Sequence, residues 1–380
     1  MEVLVLLILT AGLFAAEKIL YKRQWDHDLH YECTFSTDEA YEGDEVELIE
    51  TVINGKMLPL TWAKAEISAS RWLQFAGSQS IIAGDTRFVP SFFVLKGHHR
   101  TVRRWKVRCM RRGIYCIDKT VLVTTDLLGL QTFSLPVELN ARLTVLPRPQ
   151  EGSEHFFSPN GLSGDIIIRR RLLTDPFFVN GIREYTPYDS ANRIHWPATA
   201  KMDQIMVRSN DCTSDQSVTI LMNMQTRSEE GATITDSEDI EQEIRAAATA
   251  VAETAGSGFP TRLIANGGGL NGTPTVTGTG AGEDYALDLL RVLAQLSVSK
   301  SENFAAYTDR MRHTFLSTDL ILISAYLDDA VLAYAREQQE LGTCVRFLLT
   351  RPLDDDQIPP DMPTTFFLEY EPAVESEGHA

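Results

Sequence analysis

Residues 3–16 form an uninterrupted run of fourteen residues without a charge, and no other feature limits the possible folds so sharply. As a helix rising about 1.5 Å per residue, the run spans about 21 Å. Extended to Tyr21 it reaches about 30 Å, the hydrocarbon thickness of a bilayer, provided Glu17 and Lys18 lie at the far headgroups. A cleaved signal peptide is the rival reading. Against it, Glu2 stands before the run where Lys or Arg is usual, and Leu13 or Phe14 occupies the third position back from the small residues Ala15 and Ala16. An uncleaved anchor, touching membrane lipid through residues 3–21, is therefore expected. Lys18, Lys22 and Arg23 follow the run and nothing basic precedes it, so the positive-inside rule places the remainder of the chain in the cytoplasm. The expected localisation is the cell membrane, single-pass, with the bulk of the chain cytoplasmic.

That remainder is large enough for two or three domains, since the chain has 380 residues. A net charge of −17 opposes non-specific nucleic-acid binding by the molecule as a whole. The five cysteines (Cys33, Cys109, Cys116, Cys212, Cys344) are odd in number and contain no CxxC pair. Neither a disulfide framework nor a zinc site is indicated, and free thiols agree with a reducing compartment.

From residue 29 to 147 the chain reads as short strands with two-residue alternation, at 45–53, 60–68, 89–95, 101–109, 114–124 and 141–146. Turn residues such as Asn54-Gly55, Gly84-Asp85 and Gly113 separate them. An antiparallel sandwich of immunoglobulin-like kind is the natural packing of such pieces. The proline-bearing stretch 147–159 marks a boundary, and residues 148–215 form a linker and a charged, aromatic segment. Beyond it the pattern changes. Residues 218–224, 261–266, 320–324 and 345–350 are continuous apolar runs of strands buried on both faces. Between them Ile240, Ile244, Ala247, Val251 and Ala255 repeat at helical spacing, as do Tyr285, Leu289, Val292 and Leu296, and Val331 with Ala335. Alternating strands and helices predict a mostly parallel α/β sheet over 216–352. Residues 353–380 carry eight Asp or Glu and no Lys or Arg, an acidic tail with a possible last strand at 365–369.

Three local features invite a function. Residues 96–112 hold eight Lys or Arg and no acid. They predict either attraction to anionic headgroups or a solvated strand face, the latter preferred because Val102, Trp105, Val107 and Cys109 read as core-facing. Gly278-Thr279-Gly280-Ala281-Gly282 imitates a phosphate-cradling turn, but its third glycine comes one residue too soon for GxGxxG. A flexible surface loop is expected there, and no small-molecule substrate. His98-His99 reads as surface. His195, sixteen and seventeen residues before Asp211 and Cys212, reads as a structural imidazole. The enzyme alternative is a hydrolase using His195 with a nearby carboxylate or thiol. No nucleophile elbow, HExxH helix or paired His and Cys ligands accompany it.

The stretch Gly181-Ile182-Arg183-Glu184-Tyr185-Thr186-Pro187-Tyr188-Asp189, followed by Asn192-Arg193-Ile194-His195-Trp196-Pro197-Ala198-Thr199-Ala200-Lys201, resembles the signature of the domain of unknown function 58 family, the MoxR-associated proteins with a von Willebrand A-like domain. The resemblance extends back through Arg112-Gly113-Ile114-Tyr115, residues 126–130 and Val145-Leu146-Pro147-Arg148. The sequence departs from the pattern at Tyr188, where glycine is usual, and at Pro197, usually basic. It has one apolar segment where relatives commonly have two. The resemblance implies an α/β domain in which some relatives carry a metal at the C-terminal sheet edge, held by Asp-x-Ser-x-Ser and a later Asp. Here Asn223, Gln225, Arg227 and Ala325 stand at those places. A hard divalent ion generally wants an anionic ligand, and Arg227 brings the opposite charge, so a degenerate site without metal or other cofactor is expected. The resemblance also implies a MoxR-type AAA+ ATPase as partner.

Read from its residues, the signature gathers Arg183, Glu184, Asp189, Arg193, His195 and Lys201 around Tyr185 and Trp196. Such a cluster is either an internal network of Arg forks on carboxylates and rings, the preferred reading, or a partner-docking surface. The whole is expected to be an α+β multidomain chain: a membrane anchor over 1–22, a β-sandwich over 29–147, then a von Willebrand A-like domain with a mostly parallel sheet. The expected function is a non-enzymatic binding or scaffold protein in a chaperone-like or assembly role. An exported adhesion-type receptor is the reading if the N-terminus is inverted.

Overall fold

Period-two alternation and tight turns build the first part of the chain, and the computed structural model turns them into facing sheets. It describes residues 2–126, 129–150, 174–185, 194–202, 204–212, 217–227, 237–269, 273–299, 302–311, 319–353, 359 and 362–367, with backbone alone for 2, 174–184 and 208–212. Two compact units emerge, Met1–Pro149 with Leu290–Leu296, and Gln150–Leu289 with Ser297–Ala380.

The first unit begins with helix α1 (Glu2–Gln24). The strands that follow are β1 (Leu29–Phe35), β2 (Glu39–Tyr41), β3 (Glu45–Asn54), β4 (Leu60–Ser70), β5 (Leu73–Phe75), β6 (Ile81–Ala83), β7 (Thr86–Leu95), β8 (His99–Cys109), β9 (Gly113–Thr125) and β10 (Thr132–Leu146). They form two sheets, β1-β3-β8-β5 and β2-β10-β9-β4-β7-β6. Every neighbouring pair is antiparallel except β2 with β10. One core joins the sheets: Leu48, Val52 and Val107 come from the first, Ile67, Val89, Ile117 and Leu143 from the second. This is a β-sandwich.

α1 is long and apolar enough to cross a membrane, which fits either an anchor or a signal sequence. Its last turn differs from the rest. Tyr21 and Trp25 are buried in the sandwich core and stack on Phe133, with ring centroids 6.3 and 5.3 Å away. The Tyr21 hydroxyl donates to the Pro59 carbonyl.

Each sandwich motif that resembles the family closes a turn. Tyr115 donates its hydroxyl to the Arg111 carbonyl at 2.6 Å. Asp126 accepts from the amides of Leu130 and Gln131 at 2.6 and 3.2 Å, holding the β9–β10 turn; Leu127 and Leu128 lie outside the described residues. Arg148 donates from Nε to the Glu42 carbonyl at 2.8 Å and pairs with Asp44.

The second unit holds β11 (Thr174–Glu184), α2 (Trp196–Met202), β12 (Met206–Cys212), β13 (Val218–Met222), α3 (Ser237–Thr254) and β14 (Thr261–Gly268). After these come β15 (Pro274–Val276), α4 (Glu283–Gln295), whose residues from Leu290 onward belong to the first unit, α5 (Phe304–Met311), β16 (Asp319–Ser324), α6 (Asp329–Glu340), β17 (Cys344–Leu349) and β18 (Thr364–Phe366). β11 and β12 pair antiparallel where the sequence reads as linker and signature. A six-stranded sheet runs β15-β14-β13-β16-β17-β18. All neighbours are parallel except β14 with β15. Every residue of β13 and β16 is buried, which accounts for their continuous apolar text. The chain passes from β13 to β14 on one side and later to β16 on the other, so the β13/β16 pair is a topological switch point, where open α/β sheets hold their sites.

Candidate functional site

At the C-terminal ends of β13 and β16 the sheet's apolar interior gives way to neutral polar side chains. Asn223 is fully buried; its amide group donates to Ser324 Oγ at 3.0 Å, and its backbone N–H continues the ladder to the Ile323 carbonyl at 2.9 Å. Ser324 donates in turn to the Tyr326 carbonyl at 2.7 Å. One strand over, Asn266 accepts from the Met224 amide at 2.7 Å and donates to the Glu302 carbonyl at 3.2 Å. Gln225 accepts through Oε1 from the Phe304 amide at the start of α5. Among the described residues, Asn223 Oδ1 and Gln225 Nε2 remain buried with no hydrogen-bond partner. Of the degenerate set, Asn223, Gln225 and Ala325 are buried together at this edge, whereas Arg227 is exposed.

The donor set is amide and hydroxyl, with no carboxylate among Asn223, Gln225, Ser324 and Asn266. Among the described residues no group of three or more His, Cys, Asp or Glu could hold a metal. The arrangement ties adjacent strand ends together and leaves one acceptor and one donor open. Asn266 closes an apolar strand run, and little in the local pattern sets it apart. Its signal was a lone amide at the end of that run.

The signature residues fall into three groups. Asp189 and Arg193 lie outside the described residues, and Arg183 and Glu184 are placed on β11 by backbone alone. His195 is a helix cap: its Nδ1 accepts from the Ala198 amide at 3.2 Å, and its carbonyl accepts from Ala198 and Thr199. Its own amide donates to the Met206 carbonyl at 2.7 Å. The side chains of Asp211 and Cys212 lie outside the described set. Trp196 is 68% exposed, and Met202, Ile205, Tyr185 and Lys201 are also exposed, while α2 has no buried residue. The internal network expected around Trp196 would be built from the Arg183, Glu184, Asp189 and Arg193 side chains, all outside the described residues, and Trp196 itself stands at the surface.

The basic stretch lies mainly on β8, directly opposite the acidic side of β3. Arg104 meets Glu47 at 2.8 Å and Lys106 meets Glu45 at 3.1 Å. Arg103 donates to Ser91 Oγ at 2.6 Å and lies over the Phe93 and Trp105 rings, 4.7 and 5.6 Å from their centroids. Trp105, Val107 and Cys109 point inward, but Val102 does not: it is exposed. An odd separation from Trp105 puts it on the opposite face of a period-two strand. His98 and His99 are exposed, as expected.

The glycine segment is not a free loop. Gly280 exchanges backbone hydrogen bonds with Thr261 at 2.7 and 3.1 Å, and a Cβ there would stand 2.6 Å from the Tyr285 ring. Close approach, not phosphate binding, explains that glycine.

One polar cluster was missed in the sandwich. Glu50 is fully buried and accepts from Tyr31 Oη at 2.7 Å, Ser91 Oγ at 2.6 Å and Trp105 Nε1 at 3.1 Å. Burial and the Glu50 charge push the Tyr31 phenol far up, and burial, then Glu50 and Glu32, push the Cys33 thiol up to about 12.

Among solved structures the chain is similar to a non-cellulosomal cohesin from the archaeon Archaeoglobus fulgidus, 14% identical over 30% of this chain and 91% of that one, TM-score 0.22. It is similar to a CARDB domain from Pyrococcus furiosus, 16% identical over 32% and 94%, TM-score 0.21. A cohesin in a cohesin–dockerin complex from Clostridium thermocellum is 11% identical over 30% and 99%, TM-score 0.21. No curated protein matches. The family model described as "Protein of unknown function DUF58" matches residues 181–359, from within β11 to beyond β17, leaving the sandwich motifs outside the match. Through the signature and the α/β unit that carries it, residues 181–359 match the DUF58 family.

Proposed function

We propose that this protein is a membrane-anchored, non-enzymatic binding protein that recruits a protein partner through the signature hairpin and α2. The carrying observation is the exposed apolar surface of Trp196, Met202, Ile205 and Tyr185 within one short helix-and-hairpin element. Aromatic anchors of this kind dominate binding energy at protein interfaces. The partner implied by the family resemblance is a MoxR-type AAA+ ATPase, and the role a chaperone-like or assembly one. The second unit reads as a von Willebrand A-like domain, a reading supported by its mostly parallel sheet and by polar residues at the β13/β16 switch point. Neutral side chains there favour a metal-free site. The engagement of His195 Nδ1 as a helix cap favours binding over hydrolysis.

α1 serves as the anchor in this reading. Lys18, Lys22 and Arg23 after the apolar run put the bulk of the chain in the cytoplasm.

Replacing exposed anchors leaves stability nearly untouched, since surface changes usually stay within about 0.5 kcal/mol. Trp196→Ala is therefore expected to melt within about 2 °C of the parent while capture of the ATPase from detergent-solubilised membranes is lost. A variant that melts normally and still captures the ATPase would overturn the assignment of the docking surface.

A further inference from the structure

The end of the sandwich nearest α1 exposes large apolar side chains at its tips. Four features converge there: the start of β1, the β3–β4 turn, the β7–β8 turn and the β9–β10 turn. Strand registers place them together, with Leu29 opposite Asn54, Asn54 opposite His99, Leu60 opposite Leu95 and Thr125 opposite Thr132. Backbone bonds tie the turns to one another, from Gly55 to Asp28 at 2.9 Å and from His98 to Lys56 at 3.1 Å. On this end Met57 is 82% exposed, Leu130 75% and Val94 71%, outside α1 the largest exposures of apolar side chains among the described residues. α1 is seated at the same end, through the Tyr21 hydroxyl on Pro59 and the Tyr21 and Trp25 rings on Phe133.

We infer that this end of the sandwich is a bilayer-contacting surface, with Met57 and Leu130 lying in the headgroup layer of the membrane that α1 enters. The inference rests on α1 being an anchor. From Ala16, the last residue of the uncharged run, to the buried Tyr21 is five residues, about 7.5 Å along a helix. The headgroup layer on each side of the hydrocarbon is of order 5–8 Å thick. A sandwich gripped at Tyr21 therefore presents its nearest turns at the depth of that layer. Apolar tips gain there what they would lose in water, and the exposed Lys22, Arg23, Lys96 and Arg100 around them, which outnumber the exposed Asp26 and Asp28 at the same end, match a surface of lipid phosphates.

The test uses the full chain reconstituted in phospholipid vesicles. A photocrosslinking benzophenone amino acid is placed in turn at Met57, at Leu130 and at Ile81, which is 70% exposed on the β6–β7 hairpin at the far end of the sandwich. Irradiation is expected to give lipid adducts by mass spectrometry at 57 and 130 and none at 81. Protein that resists alkaline extraction but gives no lipid adduct at 57 or 130, or only protein adducts there, overturns the inference and leaves the anchor intact. Protein that washes off the vesicles overturns the anchor itself, and the inference with it.

Discussion

Glu50 shows how one residue can set the chemistry of a core. Along β3 the inward positions are Val46, Leu48, Glu50, Val52 and Asn54, so a carboxylate occupies a place where the alternation calls for an apolar side chain. A buried carboxylate survives only when hydrogen-bonded, and three donors from β1, β7 and β8 meet it. Truncation to alanine strands a phenol, a hydroxyl and an indole, and is expected to cost about 3 to 5 kcal/mol in urea unfolding. Glu50→Gln keeps an acceptor oxygen and should cost clearly less. Equal losses in the two variants would mean that packing, not hydrogen bonding, sets the value of the site. A pH dependence follows from the same cluster. Unfolded, the Cys33 thiol ionises at its ordinary 9.0; folded, burial and neighbouring carboxylates hold its proton to about 12. Stability is thus intact below about pH 9 and falls as pH rises toward 12. Urea midpoints are expected to drop steeply over that interval and less steeply in Cys33→Ala; parallel curves would remove the thiol from the explanation. Glu50 was legible in principle, since the period-two register alone puts it inside. Trp196 was not: exposure depends on which surfaces approach the helix, and no local pattern encodes that.

Elements were read more readily than residues, for reasons visible in their burial. β13 and β16 are buried on both faces, and the helices α3 and α4 carry apolar stripes at helical spacing, so each announces itself in any short window. Three-residue β2, β5 and β6 cannot show a period. The β11–β12 pair was hidden differently, because its register slips between Thr174 and Val179 and again before Gly181, which breaks alternation. α2 is the element where local chemistry is most exposed to test. Its first turn depends on His195 accepting through both Nδ1 and its carbonyl. His195→Ala removes the side-chain part of that cap and is expected to cost about 1 kcal/mol, seen as faster hydrogen exchange at Ala198 and Thr199 without a change elsewhere. Unaltered exchange at those two amides would show that the backbone carbonyl alone holds the turn. Asn266, on β14 beside the switch point, behaves differently because it is buried. Asn266→Ala would leave the Met224 amide and the Glu302 carbonyl without their partner, at about 1 to 3 kcal/mol, and melting should record it where α2 capping goes unnoticed.

At the scale of the whole molecule, the first 25 residues are two things at once. The apolar run up to Ala16 is exposed along its length, whereas Tyr21 and Trp25 belong to the sandwich core. Hydropathy alone makes residues 1–22 an anchor and nothing more, since it cannot tell a residue that meets lipid from one that meets protein. A truncation series separates the roles. A chain starting at Glu17 loses the span and keeps both aromatic residues, so the sandwich should fold with a melting temperature near that of the detergent-solubilised full chain. A chain starting at Asp26 also loses Tyr21 and Trp25, uncovers Phe133 and frees the Pro59 carbonyl. Removing a large buried aromatic typically costs about 3 to 5 kcal/mol, enough to lower the melting temperature of a domain this size by roughly 10 °C or more. Differential scanning calorimetry of the two fragments decides the matter. If both melt together, the last turn of α1 merely rests against the sandwich and the helix is an appendage. If only the longer fragment is stable, the anchor and the domain fold as one body, and the depth of the bilayer is coupled to the position of the sandwich turns.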